Sequence, residues 1–243
     1  RLKSCTKWSS AMPWVRELHL QASTYATRLL FPAIASSDQP VDRLQPGQFV
    51  DSPSQEFRYC VRLQPKGHPL LTWWGSQTGT VIFDDDVGIP ALFQAVRHPG
   101  EPPRWGRSPW MSLTPAELPT LRPGTRMARG HVVIAGLGLG HQLIEVSRRL
   151  QVKRVTLVER SQELVDWLLP VIRPYLRKPL KVIVGDAYTV IPTLRADVAL
   201  VDIFPRYGGA QQKLDAIKRQ TKGIRKFWAW GSSEMSGRKL AER

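Results

Sequence analysis

The chain has 243 residues, of which 42% are hydrophobic, and a formal net charge of +15 at pH 7. This composition is typical of a globular protein with two domains or one enlarged domain. It excludes a chain that is mostly disordered, and the absence of a run of about 20 apolar residues excludes a membrane-spanning helix.

The positive charge is unevenly distributed, with a net +5 over residues 1–130 and +10 over residues 131–243. A basic surface attracts polyanions such as nucleic acid. The competing interpretation is a solubilising helix face and tail, and the sequence shows no recognised nucleic-acid-binding module. The sequence therefore leaves undecided whether nucleic acid is a partner of this protein.

The two cysteines, Cys5 and Cys60, form no disulfide framework and have no metal-ligand spacing. We expect no metal site and a reducing, cytoplasmic setting. The N-terminal stretch lacks the long apolar region of a secretory signal, although the chain begins at Arg1 rather than at a methionine.

Residues 1–112 are expected to form a small β-rich unit. A helix is predicted from Trp14 to Leu30, and strands are predicted at Phe57–Leu63, Leu70–Trp74 and Thr78–Phe83. The last two strands are separated by a short turn and predict a hairpin. Three consecutive acids, residues 84–86, are interpreted as a loop in preference to a metal or amine site.

Residues 113–243 are expected to form a second unit with alternating strands and helices. A short helix opened by Thr114–Glu117 leads to the apolar run HVVIAGLGLG, residues 131–140, in which a buried strand ends in three glycines. Gly136, Gly138 and Gly140 allow a tight turn and the close approach of a ligand to the backbone. Their GxGxG spacing differs from the dinucleotide fingerprint, which requires a glycine where this chain has His141.

Acidic residues follow the next three predicted strands. Glu159 ends the run Lys153–Glu159, Asp186 follows Leu180–Val184, and Asp202 follows Asp197–Val201, with a fifth strand predicted at Lys226–Trp230. Strands that alternate with helices predict a parallel sheet, and ligands bind such sheets at the carboxyl ends of the strands. One carboxylate can accept hydrogen bonds from both hydroxyls of a ribose, a role that suits Glu159.

On these motifs the segment from Arg129 to Gly231 resembles the class I S-adenosylmethionine (SAM)-dependent methyltransferases. The resemblance implies a Rossmann-like sheet and SAM as cofactor. It places Gly136, Gly138 and Gly140 against the methionine part of SAM, Glu159 on the ribose, Asp186 on the adenine amino group, and the Ala187 backbone on the adenine ring. The family continues beyond a fifth strand, so the sheet is expected to be shortened, with an exposed edge through which a homo-oligomer can form.

The acceptor is expected to bind over the end of the fourth strand. In the loop from Asp202 to Gly209, Asp202 and Tyr207 are the candidate catalytic residues. Phe204 can stack on an aromatic acceptor, and Arg206 can pair with phosphate or carboxylate. The acceptor itself is unidentified, and the sequence does not distinguish nucleic acid from a small molecule in this role. His141 is interpreted as a surface residue at the start of a helix.

Within the superfamily, a β unit followed by a Rossmann unit looks like the spermidine synthase branch. Methyltransferase-like proteins of bacteriophages also look similar around MSLTPAEL, residues 111–118, and around the glycine run. Aminopropyl transfer is therefore the second candidate reaction, although it requires an acidic pocket and the glycine loop contains leucines instead of an acid. A non-catalytic module that binds SAM or nucleic acid is the third interpretation.

Overall fold

The computed structural model describes residues 18–22, 49–74, 77–106, 108–204 and 210–232. The first part of the chain contributes short strands in chain order: β1 (Leu18–Leu20), β2 (Phe49–Asp51), β3 (Phe57–Gln64), β4 (Leu70–Trp74), β5 (Gln77–Phe83), β6 (Val87–Val96), β7 (Arg104–Trp105) and β8 (Met111–Ser112). They form two sheets, one ordered β1-β5-β4 and the other β2-β3-β6-β7, with β8 also paired to β6. Apart from the parallel β1–β5 pair, neighbouring strands are antiparallel.

The predicted β3 strand and the β4–β5 hairpin are confirmed, with residues 75 and 76 of the turn outside the described part. The helix predicted from Trp14 to Leu30 is wrong at Leu18–Leu20, which form β1; residues 14–17 and 23–30 lie outside the described residues. The ten-residue strand β6 was not predicted, because Gly88 and Pro90 interrupt its pattern.

The second part alternates helices and strands: α1 (Glu117–Met127), β9 (Gly130–Ala135), α2 (His141–Ser147), β10 (Val152–Glu159), α3 (Gln162–Ile172), β11 (Leu180–Val184), α4 (Ala187–Val190), β12 (Ala196–Val201), α5 (Ala210–Gln220) and β13 (Ile224–Ala229). The strands form one parallel sheet in the order β11-β10-β9-β12-β13. The predicted Rossmann-like sheet is confirmed, and five of its strands lie within the described residues.

The sheet is buried on both faces, as the continuous apolar run at β9 predicts. Val132 and Ile134 belong to a core that includes side chains of α1, α2 and α3, whereas Val133 and Ala135 belong to a core that includes side chains of α5. This alternation follows from the two-residue period of a strand. Gly124 of α1 lies directly against the ring of the buried Trp228 of β13.

The N-terminal sheets pack on the parallel sheet through the first of these cores. Phe57 and Tyr59 of β3 share one cluster of buried residues with Leu121 of α1 and Val132 of β9. The division between residues 112 and 113 stays a prediction. Over the described residues, no helix is both long and apolar enough to cross a membrane.

Candidate active site

The centre of the parallel sheet creates the crevice in which a ligand can bind. Strand β9 lies between β10 and β12, so the chain leaves it first in one direction along the sheet and later in the other. Loops diverge at such a switch point and leave a cavity beyond the carboxyl ends of the strands. A cavity of about 550 Å³ occupies this position, within the usual size range of small-molecule and cofactor sites.

The glycine loop brings the backbone of β9 against the end of β12. Gly136 has φ +97°, and a side chain there would collide with the backbone carbonyl of Asp202. Gly136 and Gly138 line the cavity. Gly140, which directly precedes α2, has φ +76° and packs against Ile172 of α3. A side chain at Gly138 would likewise collide with Met111. All three glycines therefore allow the loop to pack closely within the protein, and the first two also line the cavity.

Glu159 lines the cavity at the end of β10 and also holds the glycine loop in place. Its Oε2 accepts a hydrogen bond from the Leu137 amide at 2.7 Å, and its Oε1 accepts one from the Ser161 amide at 2.9 Å. Each carboxylate oxygen can accept two hydrogen bonds, so the group keeps capacity for a ligand hydroxyl. Glu159 is therefore positioned both to fix the loop and to bind ribose.

Asp186 and Ala187 line the same cavity beyond β11. The Oδ1 of Asp186 accepts the Tyr188 amide at 2.7 Å, so this residue caps α4, while its side chain is exposed. Tyr188 also lines the cavity and offers an aromatic ring beside Asp186. The sequence interpretation passed over Tyr188, which has no motif to mark it.

Asp202 and Phe204 line the cavity beyond β12. Burial raises the pKa of the Asp202 carboxyl to about 7, so this group exchanges its proton near neutral pH. Phe204 is buried in the second core. Arg206 and Tyr207, the other candidates in this loop, lie outside the described residues.

Glu117, at the start of α1, is a cavity residue that the sequence interpretation missed. Its Oε2 accepts hydrogen bonds from the backbone amide and the hydroxyl of Ser112, at 3.2 and 3.0 Å. Burial, followed by the negative charge of Asp202, raises its pKa to about 8. The pattern T-x-x-E at Thr114 is that of an ordinary helix start, and it gives no sign that this carboxyl faces a ligand site.

Two adjacent residues of α2 are buried polar groups. His141 was predicted at the surface and this is wrong: it is 5% exposed, and burial followed by the charge of Arg122 lowers its pKa to about 4. Gln142 lines the cavity, is 6% exposed, and its Nε2 has no hydrogen-bond partner among the described residues. A ligand that accepts a hydrogen bond from this amide would remove a cost of about 1–3 kcal/mol.

The N-terminal sheets form one wall of the cavity. Glu56, Phe57, Gln94 and Trp110 line it, and the loop before β3 is attached to α3 by Ser54, whose amide donates to Glu163 Oε1 at 2.8 Å. The Ser54 hydroxyl donates to the other oxygen of the same carboxylate. The β-rich unit is therefore part of the site as well as of the fold.

No group of three or more His, Cys, Asp or Glu residues arranged to hold a metal ion occurs within the described ranges. The acidic triplet forms the predicted loop. Asp84 accepts a hydrogen bond from the Ala22 amide, Asp86 accepts one from the Lys66 amide, and Asp85 accepts one from the amide of its neighbour. These carboxylates thus fix loop backbone.

No family model and no curated protein matches the chain. Solved structures match part of it. TrmK of M. capricolum, in complex with S-adenosyl-homocysteine, matches at 13% identity over 45% of this chain and 49% of that chain, with a TM-score of 0.38. A dimethyladenosine transferase from Plasmodium falciparum matches at 17% identity over 53% and 45% of the two chains, with a TM-score of 0.39.

A SAM-dependent methyltransferase from Thiobacillus denitrificans, in complex with S-adenosyl-L-homocysteine, also matches, at 23% identity over 45% of each chain and with a TM-score of 0.35. The matched part is about half the length of each of these three proteins.

Proposed function

We propose that this protein binds SAM in the cavity at the switch point and transfers its methyl group to an acceptor. One observation carries the proposal: Glu159, Asp186 and Gly136 follow three neighbouring strands and line a single cavity. The paired oxygens of Glu159 suit the ribose hydroxyls. Asp186 suits the adenine amino group, and Ala187 and Tyr188 supply contacts to the ring.

The other end of the cavity suits the methionine part of the cofactor. Gly136 and Gly138 line the cavity there, and Gln142 provides an amide donor without a partner among the described residues. Since neighbouring strands are about 4.8 Å apart, Asp186 beyond β11 and Asp202 beyond β12 are separated by three spacings, about 14 Å. An extended ligand that spans the switch point can therefore meet both groups.

When bound, SAM supplies a methyl group on a positively charged sulfur, and the chain supplies alignment and a proton acceptor. Phe204 shields the site from water at the end of β12. Asp202, with a pKa of about 7, takes a proton from the acceptor. Tyr207 and Arg206, in the loop that follows, are proposed to assist catalysis and acceptor binding.

Incubation with SAM that carries a labelled methyl group tests this function. We expect label to enter one of three pools (nucleic acid, protein or small molecules) and the Asp202→Asn variant to transfer at least about tenfold less. The Asp166→Asn variant is the matched control, because Asp166 is exposed on α3 and outside the cavity lining. If wild-type protein bound SAM but labelled none of the pools, the non-catalytic module would be the better interpretation.

Aminopropyl transfer is the second candidate, because six carboxyl groups and one cation are found among the described residues that line the cavity. That reaction uses decarboxylated SAM and a cationic polyamine acceptor. Calorimetric titration with SAM and with its decarboxylated form separates the two reactions. Tighter binding of the decarboxylated form would reverse their order.

Nucleic acid is a proposed acceptor or partner on the basis of exposed cations at one side of the sheet. Lys213 and Arg219 of α5 are exposed, as are Arg225 and Lys226 of β13. A salt-sensitive mobility shift with DNA or RNA would support this surface. Association through a sheet edge and a cytoplasmic location likewise stay proposals, and sedimentation of the purified chain tests the first.

A further inference from the structure

The cavity has a charge opposite to that of the whole chain. Arg160 is the single cation among its described lining residues, whereas six carry carboxyl groups: Glu56, Glu117, Glu159, Glu163, Asp186 and Asp202. The chain as a whole carries +15. An acidic cavity in a basic protein favours a ligand with positive charge.

Two of these carboxyl groups line the cavity close enough for the charge of one to act on the other, although they come from distant parts of the chain. Glu117 belongs to α1 and Asp202 follows β12, and the charge of Asp202 disfavours ionisation of Glu117. No Lys or Arg forms an ion pair with either of them in the described part of the chain. An ionised Asp202 in this partly buried position is costly without a counter-ion, and a cation bound beside it would reduce that cost.

Gln142 is an independent sign that a ligand lies in this cavity. Its side chain is 6% exposed and lines the cavity, and its Nε2 is unpartnered among the described residues. Nearly all buried polar atoms in folded proteins have a hydrogen-bond partner. Because the Gln142 amide group donates a hydrogen bond, it suits the carboxylate of the cofactor, which leaves Glu117 and Asp202 for the acceptor.

Aromatic rings also line this cavity. Phe204 and Trp230 line the cavity, as does the more exposed Trp110. The indole N–H of Trp230 donates to Thr120 Oγ1 at 3.1 Å, which fixes the ring. Aromatic faces beside carboxylates bind alkylammonium groups well, because both attract a cation and the rings also cover its apolar part.

We propose that the methyl acceptor is an aliphatic amine whose nitrogen is held by Glu117 and Asp202. This inference rests on the proposed methyl transfer. The nitrogen first gives a proton to the Asp202 carboxylate, and its freed lone pair forms the new N–C bond as the methyl C–S bond breaks with its electron pair going to sulfur. Glu117 keeps its own proton, and its carboxyl oxygen accepts a hydrogen bond from the same nitrogen.

Binding of 1,4-diaminobutane, compared with butanedioate of the same chain length, tests the amine site directly. Both are titrated calorimetrically into the full chain saturated with S-adenosylhomocysteine, at about 0.15 M salt to screen the basic surface. We expect the diamine to bind at least about tenfold more tightly than the dicarboxylate, and expect Glu117→Gln and Asp202→Asn each to reduce its affinity about tenfold or more. The Asp166→Asn variant should bind like the wild type.

The outcomes separate the amine site from the proposed function. If S-adenosylhomocysteine bound but the dicarboxylate bound as tightly as the diamine, the proposed amine site would be wrong and the proposed methyl transfer would stand. Diamine binding that occurred only without S-adenosylhomocysteine would assign the carboxyl pair to the cofactor's own ammonium group and would also overturn the proposal. If S-adenosylhomocysteine itself did not bind, both proposals would fall.

Discussion

Replacement of Glu117 by glutamine should make the stability of the protein less dependent on pH. Glutamine keeps the shape of the side chain and an oxygen that can accept the two hydrogen bonds from Ser112. It removes the ionisable group whose pKa is raised to about 8, while Asp202, with a pKa of about 7, remains. The variant therefore isolates the cost of a charge on Glu117.

The sign of the effect follows from proton binding. In the unfolded chain both carboxyl groups have pKa values of about 4 and are ionised near neutral pH. In the folded chain they hold protons up to about pH 7 and pH 8, so the folded state binds more protons and loses stability as pH rises. His141, with its lowered pKa of about 4, is neutral in both states above about pH 6.5 and adds little there.

The expected loss between about pH 6.5 and 8.5 is about 2–3 kcal/mol for the pair, of which Glu117 contributes about 2 kcal/mol, since each pKa unit is worth about 1.4 kcal/mol. Urea unfolding at both pH values measures it. The wild type and the Asp166→Asn control should lose about 2–3 kcal/mol, and Glu117→Gln should lose less than about 1 kcal/mol. Equal losses in the wild type and Glu117→Gln would refute the buried carboxyl pair.

Four further substitutions test the site and the packing around it. Glu159→Gln and Asp186→Asn should each weaken SAM binding by about 1–3 kcal/mol in calorimetry, and unchanged affinity in both would move the adenosine site elsewhere. Gly136→Ala should abolish SAM binding, because its φ is +97° and the added carbon would collide with the Asp202 carbonyl; an alanine variant with wild-type affinity would argue against this loop geometry. Gly124→Ala should destabilise the protein by about 1–3 kcal/mol in urea unfolding, since the new Cβ would lie 2.5 Å from the Trp228 ring, and a more stable variant would contradict the α1–β13 packing.

The parallel sheet could be predicted from sequence because its signals are local. Continuous apolar runs such as Val132–Ala135 and Val198–Val201 are typical of strands covered on both faces, and a helix-length segment follows each. The strand ends could be located for the same reason. Glu159, Asp186 and Asp202 each follow an apolar run, and the structure brings all three to one cavity.

The missed features depend on contacts between distant segments. Glu117 follows a helix-start pattern, and its meeting with Asp202, 85 positions later, arises only when α1 packs against the sheet. His141 is polar and begins a helix, so a surface position was the natural expectation. Its burial results from the packing around α2 and leaves no local trace in the sequence.

The central claim, that the cavity holds the adenosine part of SAM between Glu159 and Asp186, is tested most directly by calorimetric titration of the full chain with SAM. We expect one SAM per chain, competition by S-adenosylhomocysteine, and weaker binding to Asp186→Asn than to Asp166→Asn. Absence of binding heat at several temperatures, or equal affinity of those two variants, would contradict the claim.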